Sequence, residues 1–263
     1  MNNSQNSQRI NLLFKCLVVF FVLHAQSANA TDAPPEVPLH LTLARELQAN
    51  VPANQNSYRH TEQISMPGDN SFQNYAMFAD CSGLAIALLD RAASPTRSLM
   101  TIPTKRKRPL AEDFVNSIQR SSGFEKITTI DRIKPGDIIA WEFTHDIDKK
   151  IAKNTGHVMF IDSLPAKVEN RAPFVPGTSQ YEIFVIDSSR AHHDPKDTRM
   201  QADGSRIQGL GRGKLRLYSA PTGEIVGFAN NFANAMFQPF NSEWAQYSTG
   251  KSKVGEIGRA LYR

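Results

Sequence analysis

An uninterrupted apolar run directly after a single cysteine constrains the fold of this chain most. Residues 84–89 read Leu-Ala-Ile-Ala-Leu-Leu and follow the segment Asp80-Cys81-Ser82-Gly83. Aspartate is a favoured N-cap residue, so this segment predicts a helix that begins at Cys81 and ends near Ala92. Because such a helix has almost no polar face, it must be buried on all sides. The sequence therefore predicts a central helix with the other elements packed around it.

The chain has two cysteines, and one of them falls in a predicted leader. Residues 1–30 combine basic residues, an apolar core at 12–23 and an Ala-Asn-Ala cleavage site, which is typical of a secretory signal peptide. Cleavage would remove Cys16 and leave Cys81 without a disulfide partner. A lone thiol in an oxidising compartment is usually kept for its chemistry. We therefore expect a periplasmic or secreted protein with a reactive Cys81.

The charge and hydropathy of the chain limit the classes of partner that we expect it to bind. The formal net charge is +5, and loss of the leader lowers it by two because Arg9 and Lys15 leave without any acidic residue. This mild positive balance favours an anionic surface such as a cell wall and does not indicate nucleic acid. No apolar run after the leader is long enough to span a membrane. We expect one domain over residues 31–263, and the sequence leaves its oligomeric state open.

The order of elements predicts an α+β fold. Helical spacing occurs at 39–49 and 111–121, the second as a surface helix, and residues 50–74 are polar and turn-rich, which indicates a loop. Strand patterns then follow one another at 137–143, 156–162, 181–187, 214–218 and 224–229. This order predicts an antiparallel sheet of about five strands under the cysteine helix. The basic segment Lys105-Arg106-Lys107-Arg108 lies in an insertion around 94–124, as a solvated loop or a wall-binding patch.

Cys81 has the setting that a nucleophile requires. A helix start lowers the energy of a thiolate and presents backbone N–H groups to an oxyanion. His157 lies on a predicted strand and is the best candidate for the base. Asp187 ends the next strand, where it either orients His157 or caps the turn that follows. His192 is the rival for the orienting role.

Three segments carry a resemblance to a known family. They are Asp80-Cys81-Ser82-Gly83-Leu84, Ile133-Lys134-Pro135-Gly136-Asp137-Ile138-Ile139 and Gly156-His157-Val158-Met159-Phe160-Ile161. In this order they resemble the NlpC-type cell-wall cysteine peptidases of the papain-like superfamily. The resemblance implies a cysteine helix packed on an antiparallel sheet that carries the histidine. It also implies Cys81 as nucleophile, His157 as base and the position of Asp187 as third catalytic residue, with Asp departing from the usual His, Asn or Gln.

The resemblance further implies a hydrolase that cleaves amide bonds in peptidoglycan stem peptides, without a cofactor. Two alternatives stay open: an amidase or acyltransferase that acts on another amide or ester, and a non-catalytic wall-binding module. The family often has a tyrosine and a glycine pair before the cysteine. Here the glycine pair is missing, and either Tyr75 or Tyr58 supplies the phenol.

Further residues are candidates for substrate binding. Ser82 and Gly83 leave room for a substrate carbonyl beside the cysteine. A polar, glycine-rich segment after the third predicted strand can form the rim of the site, and its arginines either bind a substrate carboxylate or are solvated. The substrate-binding candidates are Tyr75, Ser82, Gly83, His192, Arg199 and Arg212. A metal site at His192, His193, Asp194 and Asp197 is the disfavoured interpretation, because the spacing matches no known pattern.

Overall fold

The computed structural model describes residues 36–68, 74–100, 102, 106–145, 150, 155–248 and 253–262. The chain divides into two compact units, Met1–Pro35 and Glu36–Arg263. The first unit, which contains the predicted signal peptide, lies outside the described residues. Lys105 and residues 146–149 and 151–154, in the segment before the strand of His157, also lie outside them. No helix in the described part of the chain has the length and apolar character needed to cross a membrane.

The second unit is an α+β structure, as predicted. Its helices are α1 (Leu39–Asn50), α2 (Cys81–Arg91), α3 (Thr96–Leu99) and α4 (Ala111–Gln119). Its strands are β1 (Asn56–Ser57), β2 (Glu62–Ser65), β3 (Ala76–Ala79), β4 (Phe124–Ile127), β5 (Ile138–Phe143), β6 (Gly156–Ile161), β7 (Ala166–Val168), β8 (Ser179–Ser189), β9 (Gly209–Ser219), β10 (Ile225–Asn230), β11 (Gln238–Pro239) and β12 (Lys253–Ala260).

One large sheet dominates the fold. Its strand order is β11-β10-β9-β8-β6-β5-β12-β4, and β7 pairs with β8 beside this path, which makes nine strands among the described residues. Every strand pairing that the structure describes in this sheet is antiparallel. The prediction of an antiparallel sheet is confirmed, whereas the prediction of about five strands is wrong.

The sheet is wider than predicted because it contains strands that the sequence pattern did not reveal. The C-terminal strand β12 inserts between β4 and β5, and it pairs with both. Its sequence, Lys-Val-Gly-Glu-Ile-Gly-Arg-Ala, contains two glycines and two charged residues beside its lysine, so it lacks the clean alternation that marks a strand. Gly258 is required there, since a Cβ atom at this position would lie 2.6 Å from the Ile118 side chain of α4.

The predicted central helix is confirmed. Helix α2 contacts β6 and β8 on one face of the large sheet, and α1 packs beside it. Leu84, Ile86, Leu88 and Leu89 are each at most 1% exposed. Burying four such side chains contributes on the order of 6–12 kcal/mol before the entropy of folding is subtracted. The position of Cys81 at the start of α2 is therefore determined by the main hydrophobic core.

Two local predictions are wrong. Residues 50–74 are not one loop, because β1 and β2 form a second, three-stranded sheet with β3 in the order β1-β3-β2. Helix α4 is not a surface helix, because Phe114, Val115 and Ile118 are fully buried. This helix lies over β5 and β12. The sequence pattern did not reveal the position of β12.

Candidate active site

Asp80 caps the cysteine helix as predicted. Its Oδ1 accepts a hydrogen bond of 2.8 Å from the backbone N–H of Gly83. Two further residues bind this carboxylate: Arg108, through both ends of its guanidinium, and His60, whose Nδ1 lies 3.0 Å from Oδ2. The N-terminus of α2 is thus held from three directions.

Arg108 belongs to the basic segment that the sequence predicts to be either solvated or wall-binding. Its side chain is only 15% exposed, and Arg106 is paired with Glu112 and Asp113 in the first turn of α4. Arg108 therefore binds at the N-terminus of α2 and Arg106 at the N-terminus of α4. Neither the solvated loop nor the wall-binding patch describes these two arginines. Lys107 is exposed.

Glycine is required in the Asp-Cys-Ser-Gly segment by close packing. A Cβ atom on Gly83 would lie 2.0 Å from the backbone oxygen of Thr61, just before β2. Gly156 has the same role before His157, because a Cβ atom there would lie 1.9 Å from the backbone oxygen of Trp141 on β5. Both glycines let a neighbouring chain segment approach a candidate catalytic residue.

The structure brings Cys81, His157 and Asp187 together. His157 is 8% exposed, and its Nε2 lies 2.5 Å from Oδ2 of Asp187 on β8. Cys81, at the start of α2, lies close enough to this imidazole for its charge to act on the pKa of His157. The structure therefore groups a buried thiol, a buried imidazole and a buried carboxylate.

The charges around His157 favour its protonated form. Burial by itself would lower the pKa of His157, but the negative charge of a Cys81 thiolate and hydrogen bonds to Asp187 and Cys81 outweigh that effect. Together they raise the pKa of His157 to about 10. A positively charged imidazole beside a cysteine is the setting that favours a nucleophilic thiolate.

We expect His157 to hold its proton at pH 8 in the intact protein. Removing the thiolate in Cys81→Ala takes away an attractive charge, so the pKa of His157 should fall and its ring should be less protonated at that pH. An NMR titration of the histidine ring signals in both proteins measures this difference. An unchanged His157 midpoint in the variant would contradict a thiolate at Cys81, and His192, which packs against Phe232, serves as the internal reference.

Asp187 is the centre of a larger buried network. Its Oδ2 also lies 3.0 Å from Nε2 of His193, and its Oδ1 lies 3.0 Å from Nη2 of Arg199. Arg199 in turn donates two hydrogen bonds to Asp197, from Nε to Oδ1 at 2.8 Å and from Nη2 to Oδ2 at 2.7 Å. Burial would raise the pKa of Asp187, but Arg199, His193 and His157 hold it well below its usual range. The carboxylate is therefore ionised at any physiological pH.

The structure places Asp187, and not His192, beside His157. The ring of His192 packs edge-on against Phe232, with 4.8 Å between ring centroids, and its Nδ1 lies 3.4 Å from Arg206. The neighbouring His193 is the second histidine on the carboxylate. The sequence indicated His193 only as part of the disfavoured metal set. Two adjacent histidines in a loop give no pattern that shows which side chain points into the protein.

The predicted substrate-binding role of Arg199 is wrong, and Arg212, Ser82 and Gly83 make structural contacts. Arg199 is fully buried, so it cannot reach a substrate carboxylate. Arg212 lies over the ring of Phe184 and pairs with Asp162, a carboxylate that it shares with Arg45. The Ser82 hydroxyl, 2% exposed at the residue level, contacts Asp80 and Arg108. Gly83 likewise donates its N–H to Asp80 and has the packing role given above.

Tyr58, rather than Tyr75, is the phenol near the cysteine. Burial raises the pKa of Tyr58, and the negative charges of Cys81 and Asp80 raise it further. Arg190 lies over the same ring, 5.1 Å from its centroid. Tyr75 instead donates its hydroxyl to Glu46 at 2.8 Å, on the side of α1. Tyr58 directly follows β1, and β1 pairs with β3, which ends just before Asp80 and Cys81. This strand pairing brings Tyr58 towards the cysteine.

One group of side chains has the arrangement of metal ligands. His157, Asp187 and His193 each offer a donor atom within 4.8 Å of the others. These atoms are already joined by hydrogen bonds, and the guanidinium of Arg199 at 3.0 Å from Asp187 repels a cation. The disfavoured set of His192, His193, Asp194 and Asp197 is not assembled, since Asp197 is bound to Arg199 and Asp194 accepts from the backbone of Lys214.

Comparisons with known proteins give one informative relative. No family model matches the chain, and no solved structure matches it. The chain is 32% identical over 178 residues to a protein of Acanthamoeba polyphaga mimivirus named "Uncharacterized protein R653". That alignment covers 65% of this chain and 77% of the viral protein. At this identity and coverage, the chain belongs to the same protein family as mimivirus R653.

Proposed function

We propose that this protein is an exported cysteine hydrolase that cleaves amide bonds in peptidoglycan stem peptides, with a papain-like fold of the NlpC type. The observation that carries the proposal is the buried group of Cys81, His157 and Asp187, in which His157 is hydrogen-bonded to Asp187 and responds to the charge of Cys81. A helix start, a buried base and an ionised orienting carboxylate are the parts that a cysteine nucleophile needs. The three ordered sequence segments support the choice of substrate.

In the first half of the reaction, the Cys81 thiolate attacks the carbonyl carbon of the amide and forms a tetrahedral intermediate. The imidazolium of His157 gives its proton to the amide nitrogen as the C–N bond breaks. The amine leaves, and the acyl group remains on Sγ as a thioester. Asp187 keeps the ring oriented and stabilises its positive charge throughout.

In the second half, neutral His157 takes a proton from a water molecule, whose oxygen attacks the thioester carbon. The C–S bond breaks, the carboxylic acid product leaves, and the thiolate–imidazolium pair is restored. The burial of His157 and its hydrogen bond to Asp187 hold the ring in place for both proton transfers.

The oxyanion donors lie at the start of α2. Gly83 N–H is bound to the Asp80 side chain and Leu84 N–H to the Asp80 carbonyl, at 2.8 Å each. This assigns the oxyanion to the backbone N–H groups of Cys81 and Ser82, which come earlier in the turn. We also assign the Tyr58 hydroxyl as a third donor, because Tyr58 directly follows β1, which pairs with the strand that leads into Cys81.

We expect Tyr58→Phe to lower kcat by about 10²-fold, the usual cost of losing one donor to an oxyanion, with little change in KM. Steady-state kinetics measures both constants. Tyr75→Phe is the matched control, because it removes a phenol whose hydrogen bond goes to Glu46. Equal effects of the two substitutions, or a change in KM alone, would remove Tyr58 from the mechanism.

Two alternatives make different predictions. An amidase or acyltransferase would use the same cysteine and histidine on another amide or ester, so stem peptides and acyl esters should be compared as substrates. A non-catalytic wall-binding module has no need for a buried imidazole that is hydrogen-bonded to a carboxylate and lies near a buried thiol, and this arrangement weighs against it.

The test is mass spectrometry of purified peptidoglycan fragments after incubation with the protein or with Cys81→Ala. We expect a new stem-peptide fragment with the intact protein and none with the variant, and its mass identifies the bond. Absence of cleavage with both proteins, under conditions where acyl esters are hydrolysed by the intact one, would replace the proposed substrate with the alternative.

A further inference from the structure

The end of strand β8 lies directly against the start of the cysteine helix. Ser188 of β8 is fully buried, and its hydroxyl donates a hydrogen bond of 2.6 Å to the backbone oxygen of Ala79, two residues before Cys81. Asp187, the residue before Ser188, is hydrogen-bonded to His157. The segment that follows β8 therefore begins close to both Cys81 and His157.

Arg190 is the first residue of that segment, and its side chain lies on the cysteine side of the site. Its guanidinium carbon is 5.1 Å from the centroid of the Tyr58 ring, and Tyr58 follows the strand that pairs with the one leading into Cys81. Both chain neighbours of Arg190 instead line a cavity of about 300 Å³ that borders His157. Arg190 therefore lies on the rim between the cysteine helix and this cavity.

The charge of Arg190 is available to a ligand. Its side chain is exposed, and no ion pair joins it to a carboxylate in the part of the chain that the structure describes. The carboxylate of Asp80, at the start of the cysteine helix, is already bound by Arg108 and His60. Arg190 thus contributes a positive charge that the described residues leave without a counter-charge.

The contact with a tyrosine ring suits this guanidinium for binding a planar anion. An arginine that lies over an aromatic face can still donate from the N–H groups at the edge of its own plane. Two such donors match the two oxygens of a carboxylate, and charge-assisted pairs of this kind are stronger than hydrogen bonds between neutral groups. A carboxylate is therefore the ligand group that fits Arg190 best.

From this placement we infer that Arg190 is a specificity-determining residue, and that the substrate is a peptide with a free carboxylate close to the bond that is cleaved. The carboxylate accepts from the guanidinium at the rim, while the amide carbonyl reaches Cys81. The sequence predicted this role for Arg199 and Arg212, whose guanidinium groups pair with carboxylates of the protein itself. The inference rests on the proposed function for the cleavage, but the binding step can be measured without turnover.

The test uses the Cys81→Ala protein, which lacks the thiol, and two synthetic stem peptides with amidated C-termini. One is alanyl-γ-glutamyl-lysyl-alanine with a free α-carboxylate on its glutamyl unit, and the other has a carboxamide in place of that carboxylate. We expect calorimetry to show at least about 10-fold tighter binding of the first peptide, the contribution of one charge-assisted pair, and a smaller difference at high salt. Equal affinities of the two peptides, or no binding of either, would overturn the inference.

Variants in the same background assign the contact. Arg190→Gln should reduce the preference for the carboxylate peptide to within about 2-fold, and Arg190→Lys should restore part of it, since a lysine keeps the charge but not the paired donors. Arg59→Gln is the matched control, because Arg59 is also exposed and lies over an aromatic ring, 4.4 Å from the centroid of Phe78. A preference that survives Arg190→Gln, or that is lost equally in Arg59→Gln, would contradict the inference.

Failure of the proposed function gives a different result. If the Cys81→Ala protein prefers the carboxylate peptide through Arg190, but the intact protein cleaves neither peptide nor peptidoglycan, the carboxylate site stands and the hydrolase proposal fails. If the intact protein cleaves both peptides with equal kcat/KM, the hydrolase proposal stands and the role of Arg190 is refuted.

Discussion

Replacing Cys81 with alanine should lower kcat/KM for amide hydrolysis by about 10⁴-fold or more, because removal of the nucleophile of a coupled group eliminates nearly all of its catalysis. The smaller side chain fits the same space at the start of α2, so the fold should be retained. Hydrolysis rates with a chromogenic or mass-detected peptide measure the loss.

His157→Ala should have a similar effect, and the double variant should be no worse than either single one, since the two residues act as a unit. His192→Ala is the control, because His192 contacts Phe232 and Arg206 instead of the site. Full activity in Cys81→Ala, or additive losses in the double variant, would refute the mechanism.

Replacing Arg199 with methionine should destabilise the protein by about 3–5 kcal/mol, because it leaves two buried carboxylates without their shared counter-charge. Asp187 and Asp197 are 1% and 2% exposed, and both lie within 3.0 Å of the guanidinium. This loss is a large part of the stability of a typical domain. Urea unfolding followed by circular dichroism measures it.

Arg132→Met is the control for this experiment. Its ion pair with Glu125 is exposed on both sides, so the cost of removing it should be at most about 1 kcal/mol. Arg199→Lys should recover part of the stability, because a lysine restores the charge but cannot bind Asp197 with two prongs. Equal losses in Arg199→Met and Arg132→Met would show that the buried network contributes little.

The local features of the site were accessible from the sequence. Asp80 as N-cap, Cys81 at the helix start and the course of α2 all follow from residues that are adjacent in the chain. The pairing of His157 with Asp187 was reachable because His157 lies at the start of β6 and Asp187 near the end of the neighbouring antiparallel strand β8, and both strands are strongly patterned. The competing assignment of His192 could not be excluded by pattern, since a loop side chain has no periodic signal.

The support around the site was not accessible. Arg199 was expected near substrate, because an arginine in a polar loop is usually exposed, yet it lies buried between two aspartates. Arg108 was expected in a charge run facing water or a wall, yet it binds the cap of the cysteine helix. A charge is buried only when its partners arrive from elsewhere in the chain, and local composition carries no record of such partners.

The sequence by itself determined the α+β class, the buried helix that positions Cys81 and the strand that carries His157, because these depend on periodicity and capping within a few residues. Only the tertiary structure decided the width of the sheet, the insertion of β12, the choice of Tyr58 and the carboxylate network around Asp187. The physical reason is the same in each case: these features are contacts between segments far apart in the chain, whose free energy depends on how the whole core packs.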